Sequence, residues 1–222
     1  VIPNLPMMAR ANREFLARAV RYLAAEAGVR QFLDIGTGIP TAGNVHEVAQ
    51  QVAPESRVLY VDHDPTVLAH ARAPMTSTSP GQTEFIMADL RDPEGILADP
   101  VLAKTLDLEQ PVALMLVAIL MYFRDSENPQ GMVSTLFDAL PSGSYMAITH
   151  PTADFDPAAF AGAAAAAEHA GITLVSRSKA DIEQFFSGLE IVEPGVVPVL
   201  AWHPDDGPPE DPNAAYYWAG VA

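Results

Sequence analysis

At 222 residues, 49% of them hydrophobic, the chain is long enough to bury one α/β core, and a single domain over residues 1–222 is expected. Zero cysteines exclude disulfides and thiolate metal sites, which suits a cytoplasmic protein, and no apolar run reaches the ~18 residues of a membrane span. With a net charge of -16, and only Arg177 and Lys179 as basic residues after residue 150, a phosphate-binding face for DNA or RNA is not expected; a small-molecule partner is.

Residues 7 to 27 place Phe15, Leu16, Ala19, Val20, Leu23, Ala24 and Ala27 on one stripe. This predicts a helix within an N-terminal segment 1–28, capped by Gly28, whose arginines (Arg10, Arg13, Arg18, Arg21) form a solvated face. Gln31 to Ile35 then reads as a strand that runs into Gly36-Thr37-Gly38, a turn that only glycine accommodates easily. Asn44 and Glu47 have capping-box spacing, and Val45, Val48, Ala49 and Val52 recur as one helix face.

A second strand, Arg57 to Val61, ends on Asp62, followed by His63-Asp64-Pro65 and a helix from Thr66 to Arg72 that Asp64 can cap. Met75 to Gln82 is a loop by composition, and strand three, Thr83 to Met87, ends at Asp89. Parallel strands in an open sheet present their carboxyl ends to one crevice, so Asp34, Asp62 and Asp89 are expected to converge there. Asp92 and Pro93 look like a helix start, which leaves Asp89 free for a ligand.

Pro111 to Phe123 is continuously apolar and reads as a buried central strand. A helix near Gly131 to Leu140 leads to strand five, Ser144 to Thr149, which ends at His150. There a histidine is either a general base or a hydrogen-bonded structural residue, and His46 is the alternative base or a loop-orienting group. Ala158 to Ala170, within an inserted segment 151–172, is helical by alanine content; Ser178 and Asp181 cap a helix to Phe186. Strand six is expected within Leu189 to Trp202 and strand seven from Ala215 to Val221. His63 and His70 lack a metal-ligand pattern, and no metal is expected.

D-I-G-T-G at 34–38, V-D-H-D at 61–64 and A-D-L at 88–90 together resemble the Rossmann-like methyltransferases that use S-adenosyl-L-methionine. The longer strings FLDIGTGIPTAGNVHEVAQ, VLYVDHDPTVLAHARA and LPSGSYMAITH resemble, more narrowly, a largely uncharacterised bacterial family of S-adenosyl methyltransferases, from about residue 8 to the end. The resemblance implies an α/β, class I methyltransferase fold: a seven-stranded, mostly parallel sheet whose last strand is antiparallel, with helices on both faces. It implies S-adenosylmethionine as cofactor, held by Asp34, Gly36, Thr37, Gly38, Asp62, His63, Asp89, Leu90 and Val117. Asp62 would take the ribose hydroxyls, Asp89 with Leu90 would lie near the adenine, and Arg10 or Asn12 would reach the cofactor carboxylate. Pro40 stands where many members of the superfamily place a third glycine.

The expected activity is methyl transfer to an oxygen or nitrogen of a small molecule. A nicotinamide-dependent oxidoreductase shares the glycine loop and the acid ending strand two, but its G-x-G-x-x-G fingerprint has no acid before the first glycine, whereas here Asp34 is present and the third glycine is displaced to Gly43. A non-catalytic module that only binds the cofactor is the other alternative.

Overall fold

The computed structural model describes residues 5–40, 42–71 and 80–222; the loop expected from Met75 to Gln82 falls largely outside them. Seven strands form one sheet in the order β3-β2-β1-β4-β5-β7-β6. The chain divides into two compact units, one of residues 19–116 with 130–146, the other of 1–18, 117–129 and 147–222. Among the described residues, no helix is long and apolar enough to cross a membrane.

In the first unit β1 (Gln31–Ile35) is buried at every position, as its Phe, Leu and Ile require. It pairs in parallel with β2 (Arg57–Asp62) on one side and with β4 (Ala113–Val117) on the other, and β2 pairs in parallel with β3 (Gln82–Met87). The register sets Asp34 beside Tyr60, and Asp62 beside Met87. α2 (Val45–Val52) opens on its expected capping box: Glu47 Oε2 accepts the N–H groups of Gly43 (2.6 Å) and Asn44 (2.9 Å). α3 (Pro65–Ala71), α4 (Pro93–Ala98), α5 (Pro100–Thr105) and α6 (Pro129–Asp138) complete the connections. Sequence reasoning missed α5. Asp99 caps it at Val101 N–H (2.8 Å), but six residues are too few to display an apolar period.

The second unit contains most of β5 (Tyr145–Pro151), α7 (Pro157–His169), α8 (Lys179–Phe185), β6 (Val197–Pro198) and β7 (Tyr217–Val221). β7 runs antiparallel to both β5 and β6. Strand six is shorter than expected: Pro194, Gly195 and Pro198 interrupt pairing, and Val199–Ala201 winds into a 3-10 turn instead. Ser178 and Asp181 cap α8 reciprocally, as their spacing predicts. α7 starts at Asp156, whose Oδ1 accepts Ala159 N–H at 2.9 Å, and its one buried residue is Ala163.

α1 (Leu5–Ala25) ends near Gly28, whose φ of 72° marks a left-handed stop. Its arginines are not all solvated. Arg18 is buried and donates to the carbonyls of Trp202 and Val199, both at 2.9 Å, while Phe15 meets the Trp202 ring edge-on at 5.3 Å. A guanidinium on the apolar stripe satisfies carbonyls of a segment that forms no ladder of its own.

The apolar run Pro111 to Phe123 is not one strand. β4 stops at Val117 because Ala118 takes a left-handed φ of 55°, turning its N–H onto the carbonyl (3.2 Å) and hydroxyl (3.0 Å) of Thr149. Leu120–Tyr122 then forms a 3-10 turn. Burial makes both pieces apolar, so hydropathy could not mark the break.

Candidate active site

β1 delivers the chain into a loop in which Gly36 (φ 76°) and Gly38 (φ 65°) occupy the left-handed region, the reason glycine stands at both. Gly36 N–H donates to the Val61 carbonyl at 2.8 Å. Gly38 N–H donates to Asp62 Oδ2 at 2.9 Å, and Asp62 Oδ1 accepts Asp64 N–H at 3.0 Å. Asp62 is only 8% exposed, and its carboxylate holds the glycine loop on one side and the turn into α3 on the other. A carboxylate offers about four lone-pair positions, so two backbone donors leave acceptor capacity for a ligand. A Cβ built on Gly38 would meet no atom within 4 Å, which leaves open space over the loop. Asp34 is buried at the foot of the loop, and its carbonyl accepts the Thr37 hydroxyl at 3.4 Å.

The neighbours of Asp62 supply apolar surface. Met87, its register partner on β3, is 57% exposed, and Ile39 after the second glycine is 59% exposed. His63 projects into solvent, with Nδ1 3.6 Å from Asp62 Oδ1. Asp64 behaves as the expected cap: its Oδ1 accepts Thr66 N–H at 2.7 Å, and that bond holds the carboxyl below the usual carboxylate range.

Asp89 is not left free. Asp92 does cap α4 at Gly95 N–H (3.0 Å), yet Asp89 Oδ1 also accepts Arg91 N–H (2.9 Å) and its Oδ2 lies 3.2 Å from the Arg91 guanidinium. Asp89 is half-exposed and Leu90, behind it, is buried.

The S-adenosyl methyltransferase family matches residues 1–222. The chain belongs to that family. It is 47% identical to a DUF574 family protein from Streptomyces avermitilis, covering 99% of this chain and 85% of that one with a TM-score of 0.95. It is 40% identical to a candidate methyltransferase from Thermobifida fusca, over 99% of this chain and 82% of that one, at a TM-score of 0.89. The fold alone is shared with the N-methyltransferase NodS of Bradyrhizobium japonicum, solved with S-adenosylhomocysteine: 13% identity, 96% and 86% coverage, TM-score 0.55. No curated protein matches.

The protein is thus an S-adenosylmethionine-dependent methyltransferase of class I fold, and the nicotinamide alternative gives way. The residues around the loop suit that cofactor. A buried carboxylate with spare lone pairs matches a pair of ribose hydroxyls, and exposed Met87 and Ile39 offer apolar faces to a purine.

Neither candidate base of this methyltransferase presents a free ring. His46 is buried; its backbone N–H donates to the Tyr60 hydroxyl (2.9 Å), which also lies 2.8 Å from His46 Nδ1, so the residue ties α2 to β2. His150 has no exposure at all. Its Nδ1 is 2.8 Å from the Pro151 carbonyl and its Nε2 is 2.8 Å from Arg177 Nη1. A carbonyl can only accept and a guanidinium can only donate, so His150 is the neutral Nδ1–H tautomer with its lone pair occupied. Burial foremost, with the Arg177 charge adding to it, lowers its pKa to about 4. The structure thus gives His150 the hydrogen-bonded environment of the second sequence reading.

Val117, half-buried, is the last residue of β4. Asn12 is buried, with its amide donating to the Met8 carbonyl (3.0 Å) and its oxygen accepting the Thr149 hydroxyl, while Arg10 is exposed on α1. Sequence reasoning missed Arg177, whose partners lie 27 to 57 positions away. No local signal marked it: Arg177 stands between Ser176 and Ser178, two residues before Lys179, as a solvated arginine would.

Proposed function

We propose that the protein transfers the methyl group of S-adenosylmethionine to an oxygen or nitrogen of a small molecule, by alignment and desolvation without a dedicated base. When bound, the cofactor supplies an already activated sulfonium methyl, so the chain's task is to orient two reactants and exclude water. Asp62 accepts from the ribose hydroxyls while keeping Gly38 in place. Asp34, Gly36, Thr37 and Gly38 face the methionine and ribose, His63 and Asp89 with Leu90 flank the adenine, and Val117 borders the cofactor at the end of β4.

The observation that carries this reading is the Asp62 carboxylate already fastened to Gly38 N–H at 2.9 Å, which makes acid and loop one rigid receptor. A mechanism without a histidine base is supported by His46 and His150, both buried and both hydrogen-bonded. A small acceptor rather than a nucleic acid is supported by the charge of -16.

Thermal melts test the cofactor. S-adenosylhomocysteine at ~100 times its Kd should add ~2.7 kcal/mol, raising Tm by roughly 5 to 10 °C in a chain of this size, whereas NAD should leave Tm unchanged. Stabilisation by NAD and none by S-adenosylhomocysteine would overturn the proposal.

A further inference from the structure

Arg177 is 5% exposed and spends four donor contacts on groups far from it in the chain. Nη1 donates to the Leu120 carbonyl (3.0 Å) and to His150 Nε2 (2.8 Å); Nη2 donates to the Phe123 carbonyl (2.9 Å) and to Asp125 Oδ1 (2.7 Å). We infer that Arg177 is a positioning residue for methyl transfer, fixing the turn Leu120–Asp125 after β4 so that Tyr122 is held toward the methyl acceptor. The inference rests on the methyl-transfer reading, with the acceptor meeting the segment that follows β4.

Three observations support it. First, the stapled turn and His150 follow or end β4 and β5 at their carboxyl ends, the end at which open α/β sheets take their ligands. Tyr122 remains 38% exposed on that turn although Leu120 before it is fully buried.

Second, the staple acts on conformation more than on burial. The side chain of Asp125, the one carboxylate that hydrogen-bonds Arg177 among the described residues, is 84% exposed, so the donors are satisfied mainly by neutral carbonyls and a neutral imidazole. An apolar residue of similar volume often stabilises such a site at least as well, whereas a planar fork with fixed donor directions dictates where each acceptor must lie.

Third, the surrounding backbone is pinned to the same place. Val175 N–H donates to the Met121 carbonyl (2.9 Å), and the Tyr217 hydroxyl reaches Met121 Sδ at 3.5 Å. The left-handed Ala118 that starts the turn is held by Thr149. Backbone kept in a sparsely populated region by several partners is a frequent mark of a working site.

The test compares full-length wild type with Arg177→Met and Arg177→Lys. Amide exchange at Tyr122, Phe123 and Val175 should accelerate about 100-fold in both variants, while β1 to β3 amides stay protected. The calorimetric Kd for S-adenosylhomocysteine should stay within about threefold of wild type, and nitrogen NMR of the His150 ring should change from one tautomer to a mixture. With any acceptor the wild type methylates, turnover should fall ~10-fold or more at unchanged cofactor KM. Lysine reaches one acceptor where arginine reaches four, so full rescue by Arg177→Lys would show that only charge matters and would overturn the inference. Loss of protection spread evenly over the chain, failure of both variants to fold, or unchanged turnover in a folded variant would make Arg177 a stability element and overturn it too. Failure of wild type to bind S-adenosylhomocysteine would instead sink the methyl-transfer reading, and the exchange data would be unaffected.

Discussion

Asp62→Ala should weaken S-adenosylhomocysteine binding ~100-fold or more, measured by calorimetric titration, while Asp64→Ala should leave affinity within about threefold. Hydrogen bonds to a charged carboxylate contribute ~1.5 to 3 kcal/mol, and two ribose hydroxyls bonded to one carboxylate reach the upper part of that range. The structure adds a second loss. Asp62 also accepts Gly38 N–H and Asp64 N–H, so alanine would release the glycine loop as well as the ribose. Asp62→Asn separates the two effects: the remaining amide oxygen can hold the loop, but the charge is gone, and an affinity between wild type and alanine is expected. Asp64 serves Thr66 N–H in an exposed cap, so its replacement should show in α3 rather than in the ligand. An affinity loss for Asp64→Ala as large as that for Asp62→Ala would transfer the ribose role to Asp64.

Acidification should destabilise the protein by about 3 kcal/mol between pH 6.5 and pH 4 through His150 alone. Its pKa is lowered from 6.5 to about 4 by burial and by the Arg177 guanidinium. Above pH 6.5 the ring is neutral in folded and unfolded chains, and it contributes no pH dependence there. Below 6.5 the unfolded chain takes up a proton that the folded one refuses until pH 4, so stability falls across that window. Denaturant melts at pH 7 and pH 4.5 measure it. In His150→Gln, which can keep a donor toward the Pro151 carbonyl but carries no titrating ring, the drop over this range should be smaller by ~2 kcal/mol, since most of the His150 term lies above pH 4.5. Equal drops in the two proteins would show that His150 is not held neutral. The same measurement bears on the mechanism, because a ring that refuses protons down to pH 4 is a poor general base at neutrality.

How much could be foreseen depended on how far apart in the chain the partners lie. The places of Asp34, Gly36, Gly38, Asp62 and Asp64 in the fold were legible because each bonds residues close by or sits on a strand register that hydrophobic patterning already specifies. The helix caps Glu47, Asp92 and Ser178 were legible for the same reason: a cap bonds within three residues of itself. The contact of Asp89 with Arg91 was not foreseen, because capping of α4 by Asp92 did not stop Asp89 from folding back on its neighbour. Arg18 and Arg177 were opaque. Their acceptors lie 184 positions away for Arg18 to Trp202 and 57 for Arg177 to Leu120, and no local pattern distinguishes an arginine that caps buried carbonyls from one in water. The break at Ala118 was hidden because strand and turn are equally apolar, and the feature that ends the strand is the Thr149 hydroxyl on β5.

Along its thirteen residues α7 has one fully buried side chain, Ala163, with Ala159, Phe160, Ala164 and Ala167 half-buried. High alanine content makes it helical without making it adhere, so its helicity and its attachment are separable properties. Detachment sacrifices less apolar burial than loss of a fully buried element would, so α7 is expected to open before the sheet and to give proteases an early cleavage point. The same looseness leaves its outer positions open to sequence change: substitutions there meet few packing constraints, so a lineage could rewrite this surface without disturbing the sheet. Divergence among relatives that share the glycine loop should therefore concentrate on α7, and grafting a foreign helix between Asp156 and Gly171 is a practical route to altered variants of this scaffold.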